Sequence, residues 1–351
     1  MNFKKLYLLM AASLMLITAA CGNNEEEADS GAEGDEETVS YHNQFTIGPP
    51  RGEDGDETEV DETIELPKNP ENVVIFDLGV ATTFPALGIE ESIAGLPKGE
   101  NNSTLSDELE VFESDQYQNL GGLFEPDYEA IAEIQPEVIM LHGRQSNSEI
   151  IGELESAAPN AAIINVSADS NNYFEDVKAN TLFLGELFDV EDKAQELVDE
   201  MDNKLEEVSS NVQGLDETML FIQTNGGDIS FHGPGGRYGF LYEELGFTSA
   251  GEQEGEGEEE TSNHGNQISF EFIAETNPGM ILVMDRGAAV SEGDATSTSI
   301  LENDVTANVD AVSNGNITEL NPTTWYLNAG GYGTAMSQLD EIQTAVDNAA
   351  E

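Results

Sequence analysis

The strongest constraint on how this chain can fold is that part of it repeats. Residues 127–144, DYEAIAEIQPEVIMLHGR, align with residues 269–286, SFEFIAETNPGMILVMDR, at a constant offset of 142 and without a gap. Tyr128 meets Phe270, Glu129 meets Glu271, Ile131 meets Ile273, Pro136 meets Pro278, Ile139 meets Ile281 and Arg144 meets Arg286. Each copy reads as a helix followed by a strand. Asp127 or Ser269 supplies an N-cap, and the helix ends near the residue before proline. The short apolar runs 138–141 and 280–284 are buried strands. Two copies of one unit predict two similar α/β lobes.

Between the copies, Val190, Ala194, Leu197, Val198, Met201, Leu205, Val208 and Val212 are spaced 4, 3, 1, 3, 4, 3 and 4. This sustained helical periodicity covers a span of ~34 Å at ~1.5 Å per residue. Its position makes it a rigid bridge between the lobes; the alternative is a peripheral helix of one domain. Further strands are expected at 73–77, 93–96, 161–166, 219–223 and 229–232, and further helices at 173–188 and 336–349. Such alternation favours parallel sheets. The predicted fold is α/β, two Rossmann-like lobes joined by one long helix. The expected division is 1–20 signal peptide, 21–40 acidic tether, 41–188 N-terminal lobe, 189–213 interlobe helix and 214–351 C-terminal lobe. Residues 251–263 form an acidic solvated loop.

The N-terminus reads as a targeting signal. Lys4 and Lys5 precede a largely apolar run, 6–17, too short to span a membrane. Ala19-Ala20-Cys21 then looks like a lipoprotein cleavage site, with Cys21 as the lipidated first residue; Thr18 stands where Leu is usual. The alternative is a chance cysteine after an ordinary signal peptide. Residues 22–37, Gly- and acid-rich, cannot bury a core and form a disordered tether. The formal net charge is −60, from 11 Lys+Arg and 71 Asp+Glu. Without Lys4 and Lys5 the mature chain carries −62. Self-repulsion of that size destabilises a compact state in dilute salt and is screened when the Debye length falls to ~3 Å near molar salt. The charge points to a salty habitat and argues against nucleic acid as a partner.

In so acidic a chain each cation needs a reason. The four arginines are Arg51, Arg144, Arg237 and Arg286. Arg144 and Arg286 end the two repeat copies, just past strand ends, where open α/β sheets bind ligands. Arg237 follows FHGPGG, whose glycines let backbone approach a ligand closely. These three form a cationic basin for an anion of about three charges, because guanidinium stays charged and forks toward paired oxygens. The alternative is that each pairs with one of many carboxylates. Arg51, in GPPRGEDGDE, is taken as a surface residue. Trp325 and Tyr326, in TTWYLNAGG, are expected to stack on an aromatic ligand, with a core role as the alternative. His264 in SNHGNQ and His232 in FHG are polar-contact candidates.

Metal coordination by protein groups has little support: His42, His142, His232 and His264 lack ligand spacing, and Cys21 is the only cysteine. No nucleophile elbow, P-loop or dinucleotide fingerprint is present, which speaks against a surface hydrolase. A merely adhesive lipoprotein would not need the basin.

Over about residues 60–350 the chain resembles the iron–siderophore-binding lipoproteins of Gram-positive ABC importers, class III substrate-binding proteins. The carrying motifs are LPKNPENVVIFDLG (66–79), GLPK (95–98), EPDYEAIAEIQPEVIM (125–140), GRQS (143–146), GRYGF (236–240), NHG (263–265), DRG (285–287) and TWYL (324–327). They look most like binders of petrobactin and related catecholate siderophores. The resemblance implies that Arg144, Arg237 and Arg286 contact the ferric catecholate. The siderophore fills the iron's coordination sphere, so neither a cofactor nor a protein metal ligand is expected. It also implies that Glu129 and Glu271 dock onto permease arginines; a favourable charge at a helix N-terminus is compatible with that role. The implied protein is a non-enzymatic, monomeric receptor, lipid-anchored on the outer face of a Gram-positive cell membrane. Haem, a cobalamin or a ferric hydroxamate is the alternative ligand. Scarce lysine and added acidic loops depart from usual relatives and weaken anion attraction in low salt.

Overall fold

The first element among the described residues is one that periodicity for helices does not reveal. In Thr38–Ile47 (β1) the inward positions include Val39, Tyr41, Asn43 and Phe45. This period of two is that of a half-buried strand. It pairs antiparallel with Thr58–Pro67 (β2), from Thr38 opposite Pro67 to Ile47 opposite Thr58. The computed structural model describes residues 37–252, 265–290 and 298–350. The signal, Cys21 and His264 lie outside the described residues, as do most of the tether and the acidic loop.

Strands Val73–Ile75 (β3), Ile93–Leu96 (β4), Gln118–Asn119 (β5), Val138–Leu141 (β6) and Ala162–Asn165 (β7) build the first sheet, in order β5-β4-β3-β6-β7. Every pairing in it is parallel. Strands Met219–Asn225 (β8), Asp228–His232 (β9), Asn266–Gln267 (β10), Met280–Asp285 (β11) and Ile317–Leu320 (β12) build the second, in order β10-β9-β8-β11-β12. The repeated strands β6 and β11 hold the same fourth place in the two orders. The expectation of parallel sheets needs correction in the second: β9 runs antiparallel to both β8 and β10. The cause is local. Gly226 and Gly227 have φ of 60° and 104°, which permits the two-residue hairpin turn between Asn225 and Asp228.

Both faces of each sheet are covered, so the strands read as continuous apolar runs. Val138 and Met140 face one core while Ile139 and Leu141 face another. In β11, Met280, Leu282 and Met284 face that same first core, and Ile281 and Val283 face a third. The shared core joins the two sheets into one compact unit. The long helix Glu191–Gln213 places Ala194, Leu197, Met201, Val208 and Val212 in that core, between helices Tyr173–Leu187 and Tyr332–Ala349.

The chain also crosses back at its end. Tyr332 and Thr334 N–H donate to the Thr83 and Thr82 hydroxyls at 3.0 and 3.2 Å. Gly330 N–H donates to the Tyr173 hydroxyl at 2.9 Å, which itself donates to Gln338 at 2.7 Å. A Cβ added at Gly79 would overlap the Ala329 carbonyl, and one at Gly331 the Gly79 carbonyl. This crossing holds residues 326–330 against the first sheet.

Candidate functional site

The repeat helices begin as read: Asp127 accepts from Ala130 N–H at 3.0 Å and Ser269 from Phe272 N–H at 3.4 Å. Gln135 and Asn277, each before a proline, close them in the left-handed conformation. The strands that follow deliver Arg144 and Arg286 to one cleft of about 780 Å³. Arg237 reaches the same cleft from the turn after β9.

The three arginines meet at one residue. Arg144 donates to the Tyr326 and Leu327 carbonyls at 2.6 and 3.0 Å. Arg237 donates to the Tyr326 carbonyl at 2.8 Å. Arg286 donates through Nε to the Tyr326 hydroxyl at 2.7 Å. Their guanidinium carbons lie 6.0, 4.4 and 5.3 Å from the Tyr326 ring centroid. Tyr326 rides on a π-helical turn, Thr323–Leu327, a local geometry frequent at functional sites. That turn is anchored from behind by Glu341, which accepts from Asn321 N–H at 2.9 Å and from the Trp325 indole at 3.2 Å.

Among the described residues, none of the four arginines forms an ion pair with a carboxylate. Ion pairs among the described residues use Lys68, Lys178, Lys193 and Lys204, and His42 lies 3.5 Å from Asp61. The site therefore concentrates positive charge in an acidic molecule, with buried Asp77 the carboxyl that acts on Arg144 from nearby. Burial and the neighbouring Arg237 lower the Arg144 guanidinium to about 10, against the opposing pull of Asp77. Burial, then the charges of Arg144 and Arg237, hold His142 well below the usual histidine range and so neutral. Burial raises the Tyr326 phenol, but the Arg286 hydrogen bond and the three positive charges outweigh it and bring it below its ordinary value.

Asp77 lies fully buried near Arg144. One oxygen caps Val80 N–H at 2.9 Å and the other has no hydrogen-bond partner. Burial pushes its carboxyl up to about 7, against the Val80 hydrogen bond and Arg144. A folded pKa above the unfolded one means stability is full at low pH and is lost as pH rises toward 7. Asp77→Asn keeps the cap acceptor and removes the buried charge. The variant should gain stability relative to the parent between pH 4 and 8, by ~4 kcal/mol at most, less what Arg144 loses. Urea midpoints across that range check it; a pH-independent difference would contradict the assignment.

Arg51, read as a surface residue, is exposed but also lines the cleft, because the β1–β2 tip folds over its edge. Trp325 is buried at 0 % exposure, nearly parallel to Phe240 at 19° and 6.1 Å. It is a packed wall of the cleft rather than an open stacking platform. His232 is buried in the second lobe, away from the cleft lining. Glu129 and Glu271 are exposed in the first turns of their helices. Among the described residues no group of three His, Cys, Asp or Glu converges as a metal site. Asp77, Phe124 and the Leu327 carbonyl were not legible as site features, since nothing in their local sequence marks them.

Two α/β lobes, a joining helix and a ligand-sized cleft between strand ends define a solute-binding protein. The chain belongs to the periplasmic binding protein family, which matches residues 73–324; proteins of this family bind substrates and are not enzymes. It is 33% identical over 345 residues to the petrobactin-binding protein YclQ of Bacillus subtilis, covering 98% of this chain and 99% of that one. The crystal structure of YclQ superposes with a TM-score of 0.73 at 32% identity, over 87% of this chain and 99% of the other. The catecholate-siderophore binding protein VctP of Vibrio cholerae gives a TM-score of 0.70 at 25% identity, over 86% and 99%.

Proposed function

We propose that this chain captures a ferric siderophore of the catecholate or petrobactin type in its cleft and hands it to an ABC importer. The observation that carries the reading is the convergence of Arg144, Arg237 and Arg286 on Tyr326, none of them in an ion pair among the described residues. Ionised catecholate oxygens around Fe(III) supply the missing negative charge, and charge-assisted bonds to them contribute ~1.5–3 kcal/mol each. The similarity to YclQ and VctP supports that ligand class. Iron is cargo, its donors belong to the siderophore, and the protein adds no cofactor. Cys21 behind its short apolar run supports a lipid anchor on the outer face of the cell membrane. The high acidic charge supports a salty setting, and the receptor works as a monomer.

The test uses Trp325, the single tryptophan, which packs beside the arginine cluster. Its fluorescence should be quenched tightly by a ferric catecholate in 1 M salt, and weakly by a ferric trihydroxamate, haem or a cobalamin. Absence of catecholate binding would sink the proposal.

Glu129 and Glu271 are the docking pair. Burden falls on their charge and exposure, so the double change Glu129→Ala with Glu271→Ala should leave binding intact and reduce cellular iron–siderophore uptake at least tenfold. Undiminished uptake would refute that role.

A further inference from the structure

The cleft has a second cationic feature at its rim. At the β1–β2 tip, Glu53 N–H donates to the Pro50 carbonyl at 3.0 Å. Gly52 has φ +82°, the left-handed value that a type II turn requires at its third position. Arg51 therefore holds the second position of a defined turn. The base of the tip is stitched to the segment after Arg144: Gly48 N–H donates to Ser146 O at 3.0 Å and Ser148 N–H to Gly48 O at 2.9 Å. Opposite stands Phe124, on a turn opened by Gly121 at φ +83°. Phe124 is 43% exposed, and the Arg51 guanidinium carbon lies 4.0 Å from its ring centroid.

Arg51 sits in a loop with Glu53, Asp54, Asp56 and Glu57, yet forms none of the ion pairs found among the described residues. It lies on an aromatic face instead. Both Arg51 and Phe124 line the cleft, and a guanidinium stacked on one ring still has a second face and its N–H edge for a ligand. An open guanidinium face takes an aromatic ring, and the edge takes oxygen anions. All four arginines of the chain thus line one cavity.

We propose that Arg51 and Phe124 form an outer subsite that receives an anionic aromatic group of the ligand, so that the cleft makes four arginine contacts. This rests on the reading of the cleft as a catecholate site. Arg51→Gln should weaken binding of a ferric triscatecholate about tenfold in 1 M salt, where long-range attraction is screened. Phe124→Ala should weaken it severalfold. Arg51→Lys, which keeps charge but not the planar fork, should recover less than half of the lost affinity in logarithmic terms. Arg51 is exposed on a turn, so its variants should unfold at the parental urea midpoint. If the parent binds and Arg51→Gln binds equally well, the outer subsite is wrong while the function stands. Full rescue by Lys, or a loss that vanishes in 1 M salt, also overturns it by reducing Arg51 to a remote charge. A parent that binds no ferric catecholate removes both readings.

Discussion

Changing Arg237 and Arg286 together to Gln is expected to weaken ferric catecholate binding at least a hundredfold, with little loss of stability. Each side chain is half-buried and, among the described residues, donates only to Tyr326, so the described fold does not depend on either. Each single change should cost about tenfold, ~1.4 kcal/mol, and the effects add if both bond the same anion independently. Arg144 is a less clean target. It holds two carbonyls and faces buried Asp77, so its loss would disturb the floor as well as the ligand. Titration by Trp325 quenching with parallel urea unfolding separates the two effects. Parental affinity in the double variant would dismantle the basin.

The second large effect is structural. Gly331→Ala should destabilise the protein by about 3 kcal/mol or more and also impair binding. The cost is steric rather than conformational, because Gly331 has an ordinary φ of −125°. Its added methyl would strike the Gly79 backbone, and neither segment can yield: one begins a buried helix capped by Asp77, the other leads from Tyr326. Moving them apart separates the Tyr326 and Leu327 carbonyls from Arg144. Gly152→Ala is the control, since a Cβ there meets nothing within 4 Å; it should be neutral or stabilising by up to ~1 kcal/mol. A Gly331→Ala protein with parental stability and affinity would show that the crossing does not hold the site.

Much of this was legible because it repeats or is periodic. The 142-residue offset placed Arg144 and Arg286 after equivalent strands, and the spacing from Val190 to Val212 marked a helix whose observed bounds are Glu191–Gln213. Buried strands with one residue type on both faces leave a plain apolar run, as in β6. The hairpin was missed because charged residues obscure its alternation: Glu59, Asp61 and Glu65 on the outer face, and Glu62 interrupting the apolar row of Val60, Ile64 and Leu66 on the other. The β8–β9 turn was present as Gly226-Gly227 but was absorbed into a parallel reading. Trp325 and Tyr326 share one loop, and only the fold shows that one ring packs inward while the other meets three arginines. The contact between Arg51 and Phe124 joins positions 73 residues apart, which no local pattern encodes.

The most direct measurement is a crystal structure of the protein with a ferric triscatecholate. The account predicts catecholate oxygens within hydrogen-bond distance of Arg144, Arg237 and Arg286, between the ends of β6 and β11. A ligand seated elsewhere, or one in the cleft that leaves all three guanidinium groups bound only to Tyr326 and Leu327, would contradict it.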